Sequence, residues 1–131
     1  MDTEPYVALQ TVMMPRDANP QGTIFGGVIL GLIDMAAYVG AKRLVVRAGG
    51  PVPVLVTVAI NRVEFHQPVF VGDEVSCYGR LVRTGRTSMT VRVEAWRRHL
   101  PSGEVRKVTE AIFTYVAIGE DRRPRPLPPA P

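Results

Sequence analysis

Asp34 is the one charged side chain between Asp17 and Lys42. It lies within Val28-Ile-Leu-Gly-Leu-Ile-Asp34-Met-Ala-Ala-Tyr-Val-Gly-Ala41, a stretch apolar on every helical face. A helix apolar all round is expected to be buried, and a lone carboxylate on it is costly unless paired or neutral. Its two readings are a hydrogen-bonded structural carboxylate and a general base, whose basicity burial raises and donors lower. Seven residues upstream, Gly26-Gly27 opens the same helix. Without Cβ atoms a ligand can approach that backbone closely. The first amides of a helix lack intrahelical partners, so they form an anion or oxyanion site; the alternative is that the two glycines pack the helix on a sheet. Asn19, in Asn19-Pro-Gln-Gly22, could orient water or polarise a carbonyl, although Asn-Pro is also a turn former.

Helical rise puts Asp34 roughly 10 Å beyond Gly27. One chain therefore cannot easily bring both to one reacting atom. Two copies with antiparallel helices related by a two-fold axis can, giving two shared sites per dimer.

These residues need elements to hold them. The 131 residues suggest one domain, 1–131. Tyr6 to Met13 reads as a strand, Pro15 to Gly22 as a loop, and the helix runs to Leu44 or Val46. Gly31 and Gly40 each cost such a helix about 1 kcal/mol against alanine, which suggests that another backbone passes close by. After the break Ala48 to Pro53 the period becomes strand-like. Val54 to His66, Asp73 to Arg83, Thr87 to Arg98 and Val105 to Ile118 are predicted strands. In the third, Met89, Val91, Val93 and Ala95 point one way, and Thr90, Arg92, Glu94 and Trp96 the other. Short connections favour antiparallel hairpins. The class is α+β, an antiparallel sheet curled round a central helix. Residues 119–131 hold five prolines and three arginines and read as an extended C-terminal arm.

Composition excludes several classes. The single cysteine, Cys77, allows no intrachain disulfide and no cysteine metal cluster; it reads as packing. His66 and His99 are too few and too far apart for a metal site. The charged, glycine-bearing helix argues against a membrane span, and the N-terminus lacks a signal-peptide pattern, so a cytoplasmic location is expected. Net charge is +4, carried largely by arginines suited to phosphate. No nucleic-acid-binding signature accompanies them.

The ordered set Asn19-Pro-Gln-Gly-Thr-Ile-Phe-Gly-Gly27, Asp34, Val56-Thr-Val-Ala59, Phe65-His-Gln-Pro-Val-Phe-Val-Gly-Asp73, Arg83-Thr-Gly-Arg-Thr-Ser-Met-Thr90, Val93-Glu-Ala-Trp96, Thr109 to Ala117 and Pro124-Arg-Pro-Leu-Pro128 resembles the hotdog-fold acyl-CoA thioesterases. The likeness is to broad-specificity bacterial and cytosolic acyl-CoA hydrolases and covers nearly the whole chain. Arg47 to Pro53 looks longer than usual for that family. The resemblance implies a long helix with a five- to six-stranded antiparallel sheet, dimers with a continuous sheet, and further assembly as trimers of dimers. It implies hydrolysis of acyl-CoA to acid and coenzyme A, in lipid metabolism, with no cofactor. The catalytic carboxylate falls on Asp34, the motif asparagine on Asn19 from the opposite subunit, and the oxyanion amide on about Gly27. Asp34 then activates water or attacks directly to give a mixed anhydride. Thr57 is expected beside Asp34. Phe25 and Gly26 become substrate contacts. Arg83, Arg86, Thr87 and Ser88 are first choice for the coenzyme phosphates, with Arg122, Arg123 and Arg125 second. Two rivals remain. A hotdog dehydratase or hydratase needs a histidine paired with an acid near the helix, where none is expected. A non-catalytic acyl-CoA sensor has no use for Asp34.

Overall fold

Residues 6–49 and 51–128 are described by a computed structural model. Strand β1 (Tyr6–Val12) leads through a short 3-10 turn, Pro15–Asp17, into the single long helix α1 (Gly26–Ala48). Strands β2 (Val54–Phe65), β3 (Glu74–Thr84), β4 (Ser88–His99) and β5 (Glu104–Ile118) follow. All pairings are antiparallel, in the order β1-β3-β4-β5-β2. The expected elements are therefore present, with bounds shifted by one or two residues.

The alternation read in β4 decides its faces. Met89, Val91, Val93 and Ala95 are all fully buried against the helix side, while Arg92 and Glu94 reach the other face and pair with Glu110 and Lys107 there. Helix α1 contributes Ile29, Ile33, Ala36, Ala37, Ala41, Leu44 and Val45 to the same core. That spacing is one stripe of a 3.6-residue repeat.

Three expectations need correction. First, α1 is buried on one side only. Met35 and Val46 are 55 % and 57 % exposed, and Tyr38 and Val39 share that outward face. A five-stranded sheet from one chain covers one side of a helix; the residues on its other side are as apolar as the core stripe. Second, what lies nearest the helix glycines within the chain is not backbone. At Gly40 the Tyr6 ring fills the space a Cβ would need, and at Gly31 nothing lies within 4 Å. Third, the C-terminal arm is not simply extended. Residues 119–123 turn back, with Gly119 N donating to Arg123 O and Arg122 N to Gly119 O. The chain then docks beside its own sheet through Arg125 N to Ala117 O and Leu127 N to Arg86 O. Residues 129–131 of the expected arm lie outside the described residues.

The segment after the helix follows from local chemistry. Gly49 adopts φ 84°, which glycine tolerates, and Lys42 Nζ donates to Pro53 O at 2.9 Å, tying this loop back to the helix.

Candidate active site

The loop before α1 is held from two sides. Asn19 Oδ1 accepts from Gln21 N at 2.9 Å and Thr23 N at 3.1 Å, and Asn19 Nδ2 donates to Thr23 Oγ1 at 2.8 Å. Phe25 N donates to Asp17 O and Ile24 N to Val69 O. The turn-forming reading of Asn19 is thus realised, and one Nδ2 hydrogen remains for another partner. The loop delivers the chain into a helix whose N-cap, Phe25, supplies no capping side chain. Val28 and Ile29 amides turn back to Phe25 O. The amides of Gly26 and Gly27 have no hydrogen-bond acceptor among the described residues. Nothing lies within 4 Å of a Cβ built on Gly27, and the Phe65 ring is 3.5 Å from one built on Gly26. Two adjacent donors without acceptors thus stand at the positive end of a 23-residue helix.

A cavity of about 300 Å³ adjoins them, lined by Gly26, Ile29, Phe65, His66, Val69 and Val108 among others. Apolar walls beside unpaired donors suit an acyl group carrying one polar carbonyl. Phe65 and His66, expected at the end of a strand, also line this cavity. A histidine near the helix start also corrects the expectation that none lies there. No acid partners His66 among the described residues. The histidine that has one is His99, whose Nδ1 is 2.8 Å from Asp73 Oδ1. Asp73 is fully buried and accepts from Phe70 N. This pair braces the 67–73 loop, which bridges at Phe70 to Thr23, and so supports the helix-start loop from behind.

Asp34 lies two turns along α1, on the outward face, and is exposed. The expectation of a buried carboxylate does not hold within one chain, because the sheet lies against the opposite side of the helix. Asp34 has no hydrogen-bond or ion-pair partner among the described residues. Thr57 does not bond to it. Both residues instead bear on the Tyr115 phenol electrostatically. Thr57 is the cross-strand partner of Tyr115, at a register shift between Thr57 and Ala59. Burial pushes the Tyr115 phenol up to about 12; the neighbouring Thr57 hydroxyl opposes this and the Asp34 carboxylate adds to it. The Thr57 contact falls short of a well-formed hydrogen bond, since Tyr115 Oη has no partner that meets normal geometry.

The candidate phosphate ligands gather elsewhere. Arg83 and Arg86 are exposed, Thr87 and Ser88 half-buried, around a turn closed by Gly85 N to Ser88 O at 2.8 Å. Arg122, Arg123 and Arg125 are exposed on the folded-back arm. The Leu127–Arg86 bond joins the two groups into one basic corner. A cavity of about 400 Å³ between Ala48, Gly49, Pro51, Arg125 and Leu127 places this corner at the C-terminal end of α1. It is therefore at the far end of the helix from Gly26 and Gly27, and nearer to Asp34.

Among the described residues no three His, Cys, Asp or Glu side chains group to hold a metal ion, and no helix is long and apolar enough to cross a membrane. Cys77 is buried, and burial pushes its thiol up to about 12.

Comparison with known proteins identifies the family. A sequence model of the thioesterase superfamily matches residues 21–103. The acyl-CoA thioester hydrolase YciA of Salmonella typhimurium is 41 % identical over 98 % of this chain and 96 % of its own length. Among solved structures, HI0827, a hexameric broad-specificity acyl-coenzyme A thioesterase, is 38 % identical with a TM-score of 0.82, over 98 % of this chain and 85 % of that one. A hexameric hotdog-fold thioesterase of Campylobacter jejuni is 38 % identical with a TM-score of 0.80, over 92 % and 89 %.

Proposed function

The chain belongs to the thioesterase superfamily and is a hotdog-fold acyl-CoA thioester hydrolase, and from that premise we propose how two copies divide the reaction between them. The thioester carbonyl oxygen docks on the amides of Gly26 and Gly27 in one subunit. Asp34 of the partner subunit, acting as general base, takes a proton from water as that water attacks the carbonyl carbon. Negative charge builds on the oxygen held by the two amides. Coenzyme A leaves as a thiolate, so no strong general acid is required. The remaining Asn19 N–H and the Phe25 ring flank the docked thioester, and the acyl chain enters the cavity beside Ile29 and Val108.

The observation that carries this reading is the pair of unpartnered glycine amides at the start of an unbroken helix. Gly27 and Asp34 are on the order of 10 Å apart along it, too far for one chain to serve one carbon. The outward face of α1 supplies the second copy. Its Met35, Tyr38 and Val39 are exposed and apolar, and such a face calls for a cover. Strand β2 ends the sheet with a free edge and carries exposed Val54, Val58, Ile60 and Phe65. Pairing β2 with its copy continues the sheet and sets the two helices antiparallel. If Asp34 faces Gly27 of the partner, the helices cross near Gly31, where no side chain obstructs approach. The basic corner of the subunit lending Asp34 then receives the coenzyme phosphates. Three such dimers would make the hexamer seen in similar thioesterases.

The test is Asp34→Ala and Asp34→Asn, with released coenzyme A followed by a chromogenic thiol trap. Both variants keep the assembly and lose at least about a hundredfold in kcat, the range of general-base catalysis. Full activity in either variant refutes the assignment. The same assay on wild type separates a hydrolase from an acyl-CoA sensor.

A further inference from the structure

Among the described residues Asp73 is the one buried acid, and its side chain is fully enclosed. The reaction proposed above gives it no role. Burying a carboxylate is costly, and a buried polar pair adds little net stability over apolar packing of the same shape. What distinguishes Asp73 is its place in the hydrogen bonding. Its Oδ2 accepts from Phe70 N and its own N donates to Phe70 O, both at 3.0 Å. These bonds close the 70–73 turn, where Gly72 takes φ 88°. A carboxylate only accepts, so His99 Nδ1, 2.8 Å from Asp73 Oδ1, donates to it. That bond ties the turn to the last residue of β4.

The turn in its place holds both flanks of the helix-start loop. Ahead of that loop, Met13 N donates to Asp73 O at 2.9 Å and Met13 O accepts from Gly72 N at 2.8 Å. Behind it, Ile24 N donates to Val69 O at 2.8 Å and Thr23 bridges Phe70. Ile24 stands two residues before Gly26, and Thr23 holds the Asn19 side chain. Val69 also walls the acyl cavity. Oxyanion donors are effective only when held to within about 0.5 Å of the productive geometry.

We infer that Asp73 is a positioning residue for thioester hydrolysis: clamped by His99, its carboxylate fixes the 67–73 loop, and through Val69 and Phe70 the amides that receive the thioester oxygen. This rests on the assignment of the Gly26 and Gly27 amides as the oxyanion site.

Asp73→Asn combined with His99→Phe severs the clamp with little threat to the fold. The amide oxygen still accepts from Phe70 N, a ring remains to pack on Phe70 as His99 does, with centroids 6.3 Å apart, and no buried charge is left unpaired. In Asp73→Asn alone the amide group serves both Phe70 N and His99 Nδ1, so the clamp persists. The double variant is expected to lose about tenfold or more in kcat, within the loss that a misplacement of about 1 Å causes, with KM changed less than about twofold. The single variant keeps most of the activity. Amide hydrogen exchange of the assembled protein, read by mass spectrometry, should quicken over residues 19–27 of the double variant and stay as in wild type across β5. A clamp that serves stability alone predicts a lower melting temperature, exchange quickened evenly, and kcat unmoved below the transition. That result overturns the inference, as does an equal loss in Asp73→Asn alone or a double variant that fails to assemble. Gly27→Pro, which removes one of the two amides, separates the premise from the inference: full activity in that variant overturns the oxyanion assignment, and this inference with it.

Discussion

Subunit complementation tests the shared site directly. Asp34→Ala removes the base and leaves the helix start intact. Gly27→Pro removes one of the two donor amides and leaves the base intact. Proline is tolerated in the first turn of a helix, where the amide has no intrahelical bond to lose, and nothing lies within 4 Å of the new Cβ. Loss of one oxyanion donor lowers kcat by about 10²–10³, so each parent alone retains about 1 % of wild-type activity or less. Chains are mixed one to one, unfolded, refolded together and assayed with the thiol trap. Each site draws its aspartate from one chain and its amides from the other. The chance that both contributions are intact is about one half squared, so the mixture recovers about a quarter of wild-type activity, a rise of at least about twentyfold over either parent. A site confined to one chain has an intact partner nowhere in the mixture, and activity then equals the mean of the parents. That outcome would refute the 10 Å argument and the two-chain mechanism built on it.

Other perturbations probe the scaffold and the substrate path. Gly40→Ala forces the Tyr6 ring out of its place; overpacking costs about 1–3 kcal/mol against about 1 kcal/mol of helix propensity gained, so thermal unfolding should show net destabilisation. A higher melting temperature contradicts this. Arg86→Gln and Arg125→Gln should raise KM with kcat unchanged and flatten the dependence of KM on salt, while an unaltered salt slope removes the basic corner from the coenzyme path. On the outer sheet face, hydrogen bonds from Lys107 and Arg92 hold Glu110 at about 2, below its ordinary 4.5. A depressed carboxylate stabilises the fold above its unfolded value and loses that contribution as pH falls toward 2. Glu110→Gln should therefore melt slightly lower than wild type at pH 7, and the gap should close near pH 2; a constant gap across that range shows that the ionised form adds nothing.

Much of the architecture was legible in residue order. The period-2 run of Met89, Val91, Val93 and Ala95 fixed a strand and its buried face, because pleat alternation is a property of the backbone alone. The same holds for the helix that carries Asp34 and for the glycines at its start. The helix-start loop was legible as a turn, though the bonding of Asn19 to Thr23 was not, since it depends on where the side chain points.

What escaped depends on which surface covers which. An apolar residue has the same composition whether it meets its own sheet or solvent, so the sequence could not tell the stripe of Ile33 and Ala37 from the face of Met35 and Val39. For that reason Asp34 read as buried and stands exposed. Strand alternation assigns Tyr115 to the inner face but says nothing of its cross-strand neighbour. The register of β2 on β5, shifted between Thr57 and Ala59, sets Thr57 opposite that phenol. The arm misled for a related reason: its prolines forbid sheet interior, yet the turn at 119–123 and the bond to Arg86 arise from β5 ending beside the β3–β4 hairpin. Local covalent and steric rules act along the chain and are written in it. Juxtaposition across the fold results from packing, and for Asp34, Tyr115 and the basic corner only the tertiary structure decided it.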